Sequence, residues 1–209
     1  MTIQRLFPLL ISVALTCGYA VAAEKDQLKS GPQAGDHVTP FESLVAYSED
    51  PSLVGKKNDF VEMYGEAPVV LVFARTMSKP LTELVNRLDV EAAKHKSAKL
   101  RMVVVLLSDD DAVEGALKKY GARQGIRHVN LAIAEPDGPR AYKLSREADV
   151  TVLLYKRKKM EVNHVFKKDE LKEKAREKIV GDVPKITAPP AATPRTTNDS
   201  RANDSSTAR

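Results

Sequence analysis

The residues able to do chemistry fall in a few short clusters, each with a structural reading beside the chemical one. Arg75-Thr76-Met77-Ser78-Lys79-Pro80 follows an apolar run and precedes a helical pattern, and its Ser78 beside Lys79 offers a serine–lysine nucleophile pair. Met77 cannot ionise, and a serine is a weak nucleophile unless a base lies beside it. Ser78 and Lys79 are adjacent, so at a helix start they point in different directions, and Ser78 is expected to cap the helix that Pro80 begins. Ser108-Asp109-Asp110-Asp111 offers oxygen ligands, but at a strand-to-helix junction it reads as capping that suits the helix dipole. His37, His95, His128 and His164 show no metal-ligand spacing. No strand-to-helix serine elbow and no phosphate-cradling glycine loop occurs. No metal, no cofactor and no recognised catalytic apparatus is expected.

One cysteine, Cys17, is the only thiol in 209 residues. It lies in an export-type leader: Arg5 is the sole charge before Glu24, Leu6 to Leu15 is apolar apart from Pro8 and Ser12, and Ala20-Val21-Ala22 is a small-X-small site. Leu6 to Ala23, interrupted by Pro8 and Gly18, sits at the lower limit of the roughly 17–25 residues needed to span a bilayer. Residues 1–22 are therefore expected to be cleaved, which places the protein in a periplasm or outside the cell. The mature chain would then hold no sulfhydryl and no transmembrane span. Exported domains are often stapled by disulfides, but a domain of this size buries enough surface to fold without them.

The elements that must position these residues can be read from periodicity. Val69 to Ala74, Leu100 to Leu107 and Val129 to Ala134 are continuous apolar runs, as expected of strands buried on both faces. Between the first two, Leu81, Leu84, Val85 and Leu88 fall on one face of a helix starting near Pro80. A second helix is predicted from Asp110 to Tyr120, with Ala112, Val113, Ala116, Leu117 and Tyr120 inward. The turn Pro136-Asp137-Gly138 closes the third strand. Val150 to Tyr155 and Val162 to Phe166 then form an antiparallel hairpin, and Asp169 is expected to cap a last helix carrying Leu171, Ala175 and Ile179. The fold class is α/β, with a mixed central sheet between helical layers, a C-terminal hairpin and a covering helix. Residues 23–33 form a polar lead-in and 34–183 one folded domain. Residues 184–209, rich in Pro, Thr, Ser, Asn and Asp, are expected to be a disordered tail. Its two Asn-Asp-Ser matches, at Asn198 and Asn203, read as repeats of low complexity.

This order of elements resembles the thioredoxin-like superfamily, with phrases similar to its peroxiredoxin-related branch. Gly35-Asp36-His37-Val38-Thr39-Pro40-Phe41 is similar to that branch's amino-terminal entry, its proline one place later, and Pro136-Asp137-Gly138 to Tyr142 looks like its tyrosine-bearing turn. The resemblance implies a redox cysteine at the amino end of the helix after the first central strand, where helix N–H groups and dipole lower a thiol pKa. Met77 and Ser78 occupy that place. It also implies a cis-proline before the threonine that opens the hairpin. Here Val150 precedes Thr151, and a trans bond is expected. Arg146 is the nearest candidate for the arginine used by peroxiredoxins.

Three function classes remain. The leading one is an exported, non-catalytic module that binds a protein or peptide through Arg75, Thr76, Met77 and Ser78. The second is an antioxidant or redox-accessory protein that depends on a partner's thiols. The third is attachment to an acidic envelope polymer through Lys156, Arg157, Lys158 and Lys159 at the hairpin tip, a cluster that also serves as a solvated guard against edge pairing. A net charge of +5 and the absence of Trp give no support to nucleic-acid binding.

Overall fold

The three apolar runs become the centre of one sheet because each buries both of its faces. The computed structural model describes residues 28–188. The expected leader, and the tail beyond Ala188, lie outside the described residues. In chain order the elements are β1 (Ser43–Tyr47), β2 (Lys57–Asn58), α1 (Phe60–Tyr64), β3 (Val69–Ala74), α2 (Lys79–Lys94), β4 (Arg101–Leu107), α3 (Ala112–Gln124), β5 (Val129–Ala134), β6 (Val150–Lys156), β7 (Lys159–Phe166) and α4 (Glu173–Thr187), with short 3-10 turns at Lys96–Ala98 and Arg140–Tyr142. The strands form a mixed sheet in the order β2-β1-β5-β4-β3-β6-β7. β3, β4 and β5 run parallel, and β6 lies antiparallel to β3. The expected α/β architecture is present.

Every residue of β3 is buried, and its alternation divides the interior in two. Val70, Val72 and Ala74 face a core shared with α2, α3 and α4. Val69, Leu71 and Phe73 face a second core closed by Phe41, by Phe60 and Val61 of α1, and by Tyr142. The two crossover helices lie on the same face because β3, β4 and β5 are laid side by side in one direction and right-handed crossovers return the chain to one side.

Several boundaries differ from the sequence reading. α3 begins two residues late and runs on to Gln124, with Leu117, Tyr120 and Gly121 buried while Ala112 and Ala116 are exposed. Two alanines carry too little apolar surface to fix the helix rotation against Tyr120. Asp169 does not cap α4. It adopts a left-handed conformation (φ 65°) in a turn where the Glu170 carboxylate accepts from Lys167 N, and the helix starts at Glu173. Leu171 consequently precedes the helix, though it is buried. α4 also continues through Pro184 to Thr187, four residues past the expected tail boundary. The lead-in is partly anchored: the Ser30 and Thr151 hydroxyls share a hydrogen bond of 2.8 Å, and Asn163 Nδ2 donates to the carbonyls of Ser30 and Pro32.

Gly121 shows how closely α3 lies on the sheet. A Cβ there would collide with three ring atoms of Tyr47, whose hydroxyl is fixed by donating to Ile126 O at 2.8 Å. Alanine in place of a helical glycine ordinarily gains about 1 kcal/mol. Here overpacking wins, and Gly121→Ala is expected to lose about 1–3 kcal/mol in a denaturant titration.

Candidate functional site

The loop from Arg75 to Ser78 leaves the C-terminal end of β3 and enters α2. Pairing of Ala74 with Val150 brings it beside the start of β6, and Arg75 N donates to Asp149 O at 3.0 Å. The juxtaposition of this loop with the Asp149-Val150-Thr151 segment is therefore built by the sheet itself. No peptide bond among the described residues is cis.

Arg75 has a different task from its neighbours. Its Nε donates to Ala148 O at 3.0 Å, Nη1 to Pro136 O at 2.8 Å and Nη2 to Ser145 O at 3.2 Å. A planar fork with fixed donors suits such a triple carbonyl clamp. The guanidinium thus fastens the loops before and after Tyr142 to β3 rather than facing outward. Thr76 is exposed, and its hydroxyl donates to Asp149 Oδ1 at 3.2 Å. Met77 is half-buried against the α2-side core. Ser78 has the extended backbone of an N-cap, but its side chain makes no capping hydrogen bond. Of the first-turn amides of α2, Lys79 N and Leu81 N have no partner among the described residues, Pro80 has no N–H, and Thr82 N donates to Ser78 O.

Val150 and Thr151 are buried at 1% and 2% exposure, so at this position only the Asp149 side chain borders the loop surface. Arg146 lies on the surface in a paired contact with Asp137, with Nε and Nη2 each 3.0 Å from its carboxylate oxygens. The acidic run beyond β4 is built from turns: Asp110 N bonds Ser108 Oγ and Ala112 N bonds Asp110 Oδ1, so the cap falls one residue before the helix's flanking position. No cluster of three metal-ligating side chains occurs among the described residues.

The basic hairpin tip is tighter than expected. Only Arg157 and Lys158 form the turn, both left-handed (φ 54° and 57°), and Lys156 and Lys159 belong to the strands. Left-handed backbone at both central positions matches the right-handed twist of the flanking strands. Lys158 Nζ meets Glu62 at 2.8 Å, Arg157 lies 4.0 Å from Glu66, and Lys156 Nζ donates to Ala188 O. Three of its four cations thus have partners on α1, just after it, or at the end of α4.

A buried ionisable pair sits under α4, where His164 Nε2 lies 2.8 Å from Asp182 Oδ2, each side chain 10% exposed. Burial holds the His164 pKa below its ordinary value; the Asp182 hydrogen bond opposes this, and Lys178 and Lys185 reinforce it. A histidine with a depressed folded pKa binds fewer protons than in the unfolded chain. Stability is thus full above about pH 6.5 and falls as acidification passes below that value. Thermal melts between pH 8 and pH 5.5 are expected to show this slope, and His164→Gln is expected to flatten it.

No protein-family model and no curated protein matches the chain. Solved structures do match. A protein of Bacteroides thetaiotaomicron described as a candidate disulfide isomerase is 14% identical with TM-score 0.56, the match covering 77% of this chain and 94% of that one. Peroxidoxin BcpB from Mycobacterium tuberculosis is 15% identical with TM-score 0.52, over 74% and 97% of the two chains. A secreted M. tuberculosis disulfide oxidoreductase homologous to E. coli DsbE is 12% identical with TM-score 0.50, over 70% and 96%. At such identities the likeness is one of fold, and the fold is thioredoxin-like α/β.

Proposed function

We propose that this chain is an exported thioredoxin-like domain that binds a protein or peptide through Thr76, Met77 and Ser78 and performs no thiol chemistry of its own. The observation that carries the proposal is the loop's construction. It is held by the Arg75 clamp and the Asp149 contact, yet it presents an exposed hydroxyl, an adaptable thioether and an uncommitted serine beside open helix amides. A recognition surface needs a rigid base and varied contact groups, and both are here. Export rests on the reading of residues 1–23.

The alternative of a redox-accessory role, with a partner supplying the thiols, draws support from the descriptions of similar structures as a disulfide oxidoreductase and a peroxidoxin. Both readings place the same loop against a partner. They separate in assay. The purified chain lacking residues 1–22 is expected to give no insulin reduction and no peroxide consumption above the uncatalysed rate. Turnover by the protein alone would refute both readings, and turnover appearing only with a partner fraction would favour the accessory role. Thr76→Arg, at an exposed position, is expected to weaken partner capture about tenfold or more without lowering stability.

A further inference from the structure

The pole of the sheet opposite this loop carries an open cavity of about 580 Å³, a size suited to a small molecule. It lies about 20 Å away, the length of β3. It is assembled from the ends of α1 and α2, the loop near Asp50, and the N-terminal ends of β4 and β5. Lys96, Lys99, Arg101 and Arg127 converge on it. None of the four side chains makes an ion pair or a hydrogen bond among the described residues, whereas at the hairpin tip Arg157 and Lys158 face carboxylates and Lys156 donates to a backbone carbonyl. Glu49 and Asp50 also border the cavity, and Asp50 Oδ1 is occupied in accepting from Ser52 N.

Two further features make this more than a set of surface charges. The Arg101 guanidinium lies 5.6 Å from the centre of the Tyr64 ring, a cation–π contact that fixes its direction. The Tyr64 hydroxyl accepts from Asn130 Nδ2, which leaves its own proton without an acceptor among the described residues. Burial pushes this hydroxyl up to about 12, so it stays a donor at neutral pH. Leu53 and Met63 add an apolar wall, and Met63 is 45% exposed despite its size.

We infer that this cavity binds a small organic phosphate, its dianionic head among Lys96, Lys99, Arg101, Arg127 and the Tyr64 hydroxyl, and its apolar part on Leu53 and Met63. Against Glu49 and Asp50 the four cations leave two positive charges in excess, which a dianion matches better than a single carboxylate does, and the apolar wall distinguishes an organic phosphate from the inorganic ion.

Calorimetric titration of the purified protein with phenyl phosphate, inorganic phosphate and phenol tests the inference. Phenyl phosphate is expected to bind with a Kd tighter than about 1 mM at low ionic strength, inorganic phosphate more weakly, and phenol without saturation. Lys99→Gln with Arg101→Gln is expected to weaken phenyl phosphate about tenfold, and Tyr64→Phe by a similar factor. Lys96→Gln with Arg127→Gln changes no strand residue and repeats the test if the first pair disturbs β4. Lys119→Gln on α3 is expected to change nothing. Absence of saturable phenyl phosphate binding, equal affinity for phenol, or unchanged affinity in both folded double variants would overturn the site.

Discussion

Phe73→Ala is expected to lower the unfolding free energy by about 3–5 kcal/mol, with the melting temperature falling by roughly 6–20 °C. Phe73 is 1% exposed, and its ring centroid lies 5.5 Å from Phe41 and 5.3 Å from Tyr142, the latter edge-on. Phe73 stands two residues before Arg75 in sequence, and with Phe41 and Tyr142 it fills the core on the α1 side of the sheet. Tyr142 cannot swing in to fill the vacancy, because its hydroxyl donates to Thr39 O at 2.9 Å. Phe73→Leu keeps most of the volume and is expected to cost about 1 kcal/mol. A calorimetric melt of the two variants beside the parent separates a cavity effect from a general loss of hydrophobicity. Equal destabilisation by both would contradict the packing described.

Arg75→Lys is expected to cost about 2–3 kcal/mol although it keeps the charge. A lysine ammonium reaches one or two of the three carbonyls but cannot span Pro136, Ser145 and Ala148 with fixed geometry. The effect is discounted because Arg75 is half-buried, which lets water replace part of what is lost. The consequence extends beyond stability. Amide exchange is expected to quicken between Pro136 and Asp149, the segment whose two ends the guanidinium ties to β3. Unchanged exchange there alongside lower stability would contradict a clamping role for Arg75. A weakened partner capture in the same variant would link the scaffold to the recognition loop.

The central elements were legible because their signals are local. Val69 to Ala74 and Leu100 to Leu107 declare two-sided burial by lacking alternation, and Leu81, Leu84, Val85 and Leu88 declare a helical face. β1 and α1 were not anticipated. Ser43–Tyr47 offers a single short apolar phrase between polar residues, and a five-residue helix shows no periodicity. Its one available signal was Asp59 followed three residues later by Glu62, and the Asp59 carboxylate does accept from Val61 N and Glu62 N. Thr76 to Ser78 could be located from strand and helix ends, but the role of Arg75 could not. Its acceptors are backbone carbonyls 61 to 73 residues away, which carry no residue type to recognise. The same holds for the cationic cavity, whose groups come from four separate stretches of sequence, and for the His164–Asp182 pair, joined only when α4 folds back over β7.

The Met77 position also shows why a fold and its chemistry separate. The strand, loop and helix around Met77 are formed, with β3 ending at Ala74 and α2 starting at Lys79. Geometry at a helix start stabilises an anion only where a group can ionise. Under the proposed reading, a thioether at Met77 leaves packing and contact as the uses of this loop.

The most direct measurement is photocrosslinking in a native extract of the source cells and their medium from benzoylphenylalanine placed at position 76, compared with the same probe at Lys119 on α3. One defined adduct is expected from position 76, absent from position 119 and formed equally well after the extract's thiols are alkylated. Identical adducts from both positions, or none from position 76, would contradict a recognition surface at the loop, and an adduct abolished by alkylation would contradict its independence from thiols.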